Sequence, residues 1–96
     1  MEELLKKDAI LFRAFCDVNR LRIIKLLIKE QHCNCELNDI LGLGQSALSY
    51  HIKILIEAGV VEVRKEGKWR YYQVRVDALK LATKRLEILF DNQEAI

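Results

Sequence analysis

The spacing of apolar residues changes at Gly59, and this change limits the possible fold more than any other feature of the chain. Before Gly59 the apolar residues recur with a period of about 3.6, which predicts helices. From Val61 to Val76 they alternate with polar residues, which predicts the two strands of a hairpin. Helical spacing returns from Asp77 onward. The sequence therefore predicts a mainly α fold with one β-hairpin.

Four helices are predicted before the hairpin and one after it, with approximate bounds 3–15, 21–28, 36–41, 46–58 and 77–91. Short polar side chains accept hydrogen bonds from the free amides at a helix start, so Asp17 or Asn19, Ser46 and Asp77 are predicted N-caps. Gly42 suits the left-handed residue that closes the third helix. The hairpin covers about 61–76, with Glu66-Gly67 as its turn.

Charge is unevenly distributed along the chain. Residues 64–75 hold five basic side chains against one acidic one, whereas residues 33–63 hold one lysine against four acidic side chains. Basic side chains interleaved with aromatic ones favour contact with phosphate and sugar, and a solvated face is the alternative. The hairpin is therefore a candidate nucleic-acid contact.

The chain has 96 residues, enough for one domain but too few for two independent cores. Its last helix has a second apolar stripe, which predicts packing against another copy of the chain. The apolar runs are too short for a membrane span or a signal peptide. The sequence therefore predicts a cytoplasmic protein with no membrane partner.

Two helices joined through Gly42-Leu43-Gly44 and followed by a basic hairpin predict a winged helix-turn-helix, with reader helices at about 36–58. The second helix of such a pair fits the major groove of DNA, where short polar side chains reach the base edges. The candidate DNA contacts are Gln45, Ser46, Ser49, Tyr50, His51 and Lys53 on this helix and Arg64, Lys65, Lys68 and Arg70 on the hairpin. The solvated side of an amphipathic helix is the alternative, and for His51 a bonded core histidine or a pH-sensitive group.

Cys33-Asn34-Cys35 is the strongest chemical signal in the sequence. Side chains two residues apart point about 200° away from each other on a helix but share one side of an extended segment. A shared ion therefore requires non-helical backbone where the third helix begins. Thiolates form more easily near a helix start, which suits both capture of a soft metal ion and oxidation. Two idle thiols are the alternative.

With these motifs the chain resembles the ArsR/SmtB family of metal- and metalloid-responsive winged-helix repressors. Residues 17–24 are similar to the family's opening segment, with Val18 in place of the usual proline. Residues 33–37 resemble its C-x-C thiolate box, residues 45–52 its recognition helix and residues 64–72 its wing. The likeness extends from about Phe12 to Val76.

The resemblance implies a homodimer, formed through the first and last helices, that represses transcription from double-stranded operator DNA. It implies release of the DNA when As(III), Sb(III) or a soft divalent metal such as Cd or Pb binds thiolates. Cys33 and Cys35 are the implied metal ligands. Cys16 is the candidate third ligand, in its own chain or the partner's, because Asn38 stands where the arsenic-sensing form often has a cysteine; an apolar filler is its alternative role. The last helix holds Asp77 but no histidine, which disfavours the family's zinc-type site there.

Three other functions stay open at this point. The nearest is a repressor of the same fold that responds to oxidation, with Cys16 forming a disulfide to Cys33 or Cys35. Another is a protein-interaction module whose basic wing meets an acidic partner. An enzyme is disfavoured, because the sequence has no nucleotide-binding loop, acid–base pair or C-x-x-C motif. No catalytic residue and no catalytic cofactor is predicted.

Overall fold

The computed structural model describes residues 1–91, which form five helices and three strands in a helix-rich arrangement with a small sheet. The elements are α1 (Glu2–Arg13), α2 (Val18–Lys29), β1 (His32–Cys33), α3 (Asn34–Leu41), α4 (Gln45–Glu57), β2 (Val61–Glu66), β3 (Trp69–Val74) and α5 (Val76–Leu89). The predicted helices and hairpin are all present, with ends that differ by a few residues. The mainly α prediction is therefore confirmed.

The helix starts follow the sequence in part. Asp17 is the N-cap of α2, and its carboxylate accepts hydrogen bonds from the amides of Asn19, at 2.7 Å, and Arg20, at 3.3 Å. The prediction that Ser46 caps α4 is wrong, because the N-cap is Gly44, which has a positive φ of 87° and no side chain to accept a hydrogen bond. The N-cap of α5 is not Asp77 but Arg75.

The sheet contains one strand that the sequence pattern did not indicate. The strand order is β1-β3-β2, and β1 pairs antiparallel with β3 through His32 opposite Tyr72 and Cys33 opposite Tyr71. A strand of two residues is too short to show alternation. The hairpin turn lies one residue later than predicted, at Gly67-Lys68, because Glu66 still pairs with Trp69.

The core lies where α2, α3, α4 and the base of the hairpin meet. Its most deeply buried large side chains are Ile23, Leu37, Leu55, Val60 and Val61. Burying a side chain of this size stabilises a fold by about 1.5–3 kcal/mol. This core fixes α4 and the base of the wing relative to each other.

Helices α1 and α5 pack beside this core and are joined by an ion pair. Asp8 is buried, and Arg85 donates to both of its carboxylate oxygens, at 2.8 and 2.9 Å. These hydrogen bonds hold the pKa of Asp8 below its ordinary value. Several large apolar side chains of the two helices remain exposed, among them Leu4, Ile10, Leu81, Leu86 and Leu89.

Among residues 1–91, no helix combines the length and the apolar character that crossing a membrane requires.

Candidate DNA interface and thiol pair

The outward face of α4 carries five of the six helix residues predicted to contact DNA. Gly42 and Gly44 both have positive φ, which lets the chain turn sharply between α3 and α4 and aims the start of α4 outward. The five side chains are exposed on one side of the helix: Gln45, Ser46, Ser49, Tyr50 and Lys53. This face has the short polar groups and the open amides that a helix needs to enter a groove.

His51 does not belong to this face, and its inclusion among the DNA contacts does not fit its position. The side chain is buried, and its Nδ1 lies 3.0 Å from a guanidinium nitrogen of Arg20. Its Nε2 lies 3.9 Å from the carboxylate of Asp17. A side chain that points into the core cannot reach a base edge, so His51 is the bonded core histidine that the sequence left as an alternative.

Arg20 is a structural residue that the sequence pattern did not indicate. It is buried, and besides the contact with His51 its Nε donates to the main-chain oxygen of Arg13, at 3.2 Å. It therefore ties the corner between α1 and α2 to α4. The available signal was an arginine on the apolar face of a helix, next to the Asp17 cap.

The wing exposes all four of its predicted contacts, but in two different settings. Arg64 is held within the wing, because it pairs with Glu66 at 2.8 Å, donates to Gln31 at 3.2 Å and lies over the ring of Tyr71. Lys65 and Arg70 instead lie directly opposite each other in the ladder. Like charges in such a cross-strand pair are destabilising unless an anion lies near them.

Lys68 is in the hairpin turn, with its ammonium 5.2 Å from the centre of the Trp69 ring. Because Lys65, Lys68 and Arg70 cluster at the end of the hairpin, the tip is the most basic part of the wing. A bound phosphate would relieve the repulsion between Lys65 and Arg70.

Cys33 and Cys35 lie together at the start of α3. Cys33 is the N-cap, with extended backbone, and Cys35 follows within the first turn, near enough for its side chain to raise the pKa of Cys33. The sulfur of Cys33 accepts from the amide of Glu36, at 3.4 Å, and the carboxylate of Glu36 accepts from the amide of Cys33, at 2.9 Å. This is a capping box with cysteine in the place of serine or threonine, a spacing that the sequence already contained.

The sequence led us to expect that the thiol of Cys33 ionises more easily because it lies at a helix start. The structure indicates the opposite, a raised pKa. Burial raises its pKa, and the side chain of Cys35 raises it further. The amide of Glu36 acts in the opposite direction but does not outweigh them. Cys35, in contrast, is exposed.

Cys16 lies at the corner between α1 and α2, where its sulfur donates to the main-chain oxygen of Phe12, at 3.3 Å. It lines an apolar groove of about 460 Å³ with side chains of α5, among them Leu79 and Leu86. Within residues 1–91 of one chain, no group of three or more His, Cys, Asp and Glu side chains is arranged to hold a metal ion. One chain therefore brings two cysteines together, and a third ligand from Cys16 stays a prediction.

His32 is buried, although a histidine near a helix end is usually solvated. Its two ring nitrogens lie 3.7 Å from the carboxylate of Glu30 and 3.8 Å from that of Glu36. These carboxylates face different nitrogens of the ring, so the three residues do not converge on one point. We assign His32 no ligand role.

Comparison with known proteins agrees with this geometry. Residues 17–63 match the family model described as a bacterial regulatory protein of the arsR family. The chain is 40% identical over 85 residues to an uncharacterized helix-turn-helix transcriptional regulator of Methanocaldococcus jannaschii, covering 88% of this chain and 96% of that protein. It is also 40% identical over 73 residues to the arsenical resistance operon repressor of Bacillus subtilis, covering 75% of this chain and 70% of that protein.

Among solved structures, the chain is similar to the homodimeric winged helix-turn-helix DNA-binding domain of a possible ArsR-family regulator from Mycobacterium bovis. The TM-score is 0.77, with 25% sequence identity, and the match covers 92% of this chain and 82% of that one. The prediction of a winged helix-turn-helix is confirmed.

Proposed function

The chain belongs to the ArsR family of bacterial regulatory proteins, and from this premise we propose that it is a thiol-dependent repressor. Proteins of this family regulate transcription through a winged helix-turn-helix and are not enzymes. In our proposal a homodimer occupies operator DNA in the cytoplasm and releases it when a thiophilic ion binds to the protein. The Bacillus subtilis relative, named an arsenical resistance operon repressor, supports As(III) as the effector, and Sb(III) is proposed beside it for its similar chemistry.

One observation carries the proposal: the thiol pair is part of the structure that presents the reader helix and the wing. Cys33 caps α3, whose far end leads through the turn at Gly42–Gly44 into α4. The same residue pairs with Tyr71 of β3, so its backbone is also an edge of the wing sheet. A change at Cys33 therefore reaches α4 through continuous backbone and the wing through the pairing of β1 with β3.

Cys33 and Cys35 would supply two of the ligands that a soft ion requires. Trivalent arsenic and antimony, cadmium and lead all bind thiolate sulfur in preference to oxygen. Cys35 is exposed and offers the entry point, and Cys33 lies beside it. An ion shared with Cys35 would draw the sulfur of Cys33 out of its present position, which would weaken the hydrogen bond from the amide of Glu36 and with it the cap on the first turn of α3.

The change is passed to α4 through the turn. Asn38 of α3 accepts hydrogen bonds from Gly42 with its main-chain oxygen, at 2.8 Å, and from Gly44 with its side chain, at 3.0 Å. A shift of α3 thus alters the angle at which α4 leaves the turn. To take the operator from nearly full to nearly empty, the effector must favour the released form by about 5.5 kcal/mol.

We propose that the dimer forms through α1 and α5. Their exposed apolar side chains are available for a second copy, and the Mycobacterium bovis domain is described as homodimeric. Cys16 lies beside α5, at this proposed interface, and its role as third ligand, to the thiol pair of its own chain or of the partner, is part of the proposal. A two-fold dimer would read half-sites about one helical turn, or a multiple of it, apart.

The test is a titration of the reduced protein on duplex DNA from upstream of its own gene, followed by fluorescence anisotropy. Arsenite, antimonite, Cd, Pb, Zn and peroxide are added separately. We expect release by one or more of the thiophilic ions, and we expect Cys33→Ser and Cys35→Ser to bind the DNA but not to release it. Cys16→Ser reports the third ligand.

Each alternative gives a different result in this titration. Release by peroxide alone, with loss of free thiols, would replace ion sensing by oxidation. Unchanged ion-induced release in both Cys33→Ser and Cys35→Ser would overturn the thiol pair as the sensor. No duplex binding at low salt would overturn the repressor and favour a protein-interaction module.

A further inference from the structure

Arg13, the last residue of α1, lies beside the outward face of the reader helix. Its guanidinium donates a hydrogen bond to the hydroxyl of Tyr50, at 3.3 Å, and both side chains are exposed. The two residues are 37 positions apart in the sequence, so no local pattern links them. The contact adds a cation from outside the helix-turn-helix to the face that carries the candidate DNA contacts.

The position of Tyr50 on α4 places Arg13 at the rim of that face. With about 100° of rotation per residue, Ser46, Ser49 and Lys53 lie near the middle of the exposed arc, and Tyr50 lies at one edge. When a helix occupies the major groove, residues at the middle of its outward face meet base edges and residues at the rim meet the flanking phosphates. Arg13 therefore lies where a phosphate would be.

The backbone of Arg13 is fixed relative to α4. Its main-chain oxygen accepts from Nε of Arg20, at 3.2 Å, and from the amide of Cys16, also at 3.2 Å. Arg20 in turn contacts His51 of α4, at 3.0 Å. Since the base of the side chain is held, the hydroxyl of Tyr50 has only to orient the guanidinium, and a guanidinium has five N–H donors.

The nearby charges leave the guanidinium suited to an anion. Asp17, the acidic residue of this corner, already accepts hydrogen bonds from two amides of α2. Arg20 adds a second cation to the same corner. A phosphate oxygen pairs well with an arginine, because the planar guanidinium matches its geometry.

We infer that Arg13 binds a phosphate of the DNA backbone beside the groove that receives α4, and that Tyr50 is the residue that positions it. The inference rests on the proposed DNA binding and adds a contact from α1 to the helix-turn-helix and the wing. Tyr50 accordingly acts on the DNA through Arg13 and reads no base.

The test compares variants by fluorescence anisotropy on the operator and on an unrelated duplex, over a series of salt concentrations. Arg13→Gln should weaken binding by a similar factor on both duplexes and lower the salt slope by about 0.9 per protomer, about 1.8 for a dimer. Arg13→Lys should keep the salt slope. Tyr50→Phe, which keeps the ring, should fall between wild type and Arg13→Gln on both duplexes.

Lys84→Gln is the matched control, because it removes the same charge from an exposed position of α5 on the side away from Ala78 and Ala82. If Arg13→Gln and Lys84→Gln give the same salt slope while wild type binds, the phosphate contact is overturned. If Tyr50→Phe matches wild type, or weakens the operator alone, the positioning role is overturned. If wild type itself binds neither duplex, the proposed function fails instead.

Discussion

The two helices of the helix-turn-helix are held in the fold to different degrees. Helix α4 buries five side chains: Leu48, His51, Ile52, Ile54 and Leu55. Helix α3 buries one, Leu37, and is otherwise held at its ends, by the capping box at Cys33 and by the left-handed Gly42. Helix α3, which has Cys33 as its N-cap and Cys35 in its first turn, can therefore shift at a lower free-energy cost than α4, which carries the candidate DNA contacts.

The largest predicted effects are the losses of stability in Leu55→Ala and Leu37→Ala. Each variant truncates a fully buried leucine, one in α4 and one in α3. Leu55→Ala should lower the free energy of unfolding by about 4 kcal/mol, because its cavity lies among rigid neighbours. Leu37→Ala should lower it by about 3 kcal/mol, because α3 can partly close the space. Urea denaturation followed by circular dichroism measures both.

Amide hydrogen exchange tells whether the two helices open separately. In Leu37→Ala the amides of α3 should lose protection while those of α4 keep most of theirs, since opening of α3 is local. In Leu55→Ala both helices should lose protection together. Equal loss in α3 and α4 of the Leu37→Ala protein would mean that they form one unit and that the comparison is wrong.

The parts of the winged helix-turn-helix that could be predicted from the sequence are those with a repeated pattern. The apolar period of α4 and the alternation in β2 and β3 extend over enough residues to be recognised. Gly42 was placed correctly because its left-handed conformation, with φ of 64°, is one that glycine adopts at no steric cost. The Cys33–Cys35 pair was recognised from its spacing alone.

Features that depend on contacts between distant residues could not be predicted. The two-residue strand at His32–Cys33 forms only because it pairs with β3. This pairing connects Cys33 to the wing sheet. The burial of His51 follows from its contact with Arg20, 31 residues away in the sequence. The raised pKa of Cys33 likewise comes from burial, which outweighs the local effect of the helix start.

A smaller effect is predicted for the cap of α3, and it separates the structural role of Cys33 from its proposed sensing role. Cys33→Ala removes the acceptor for the amide of Glu36 and should lower the free energy of unfolding by about 1 kcal/mol. Cys33→Ser keeps an acceptor, because serine is itself a good N-cap, and should stay within about 0.5 kcal/mol of wild type. Thermal and urea denaturation of the reduced proteins measure the difference.

Cys35→Ala is the control for this pair, because Cys35 is exposed and is not the N-cap. It should change the free energy of unfolding by no more than about 0.5 kcal/mol. If Cys33→Ser were as unstable as Cys33→Ala, packing of the sulfur rather than capping would hold the start of α3. Helix α3 would then be held by the buried side chains of both Cys33 and Leu37, and its contrast with α4 would be smaller.

The smallest predicted effect occurs only at acidic pH, and it concerns the contact between α1 and α5, outside the helix-turn-helix. The hydrogen bonds from Arg85 hold the pKa of Asp8 below its ordinary value of 3.8. A carboxyl whose pKa is lower in the folded state contributes stability above its ordinary pKa and loses it as the pH falls through the folded value. The link between α1 and α5 should therefore be intact at neutral pH and weaken below about pH 3.8.

Asp8→Asn removes this titration, so the difference in unfolding free energy between wild type and variant should be constant from pH 7 to pH 5 and narrow below pH 3.8. Glu3→Gln is the control, because Glu3 is exposed on the same helix and its contact with Lys6 is long, at 3.7 Å. Acid dependence does not vanish in Asp8→Asn, since the amide of Cys33 also holds the pKa of Glu36 low. If the difference in unfolding free energy stayed constant down to pH 3, Asp8 would act through packing and not through its charge. Acid would then loosen α3 before it loosens the contact between α1 and α5.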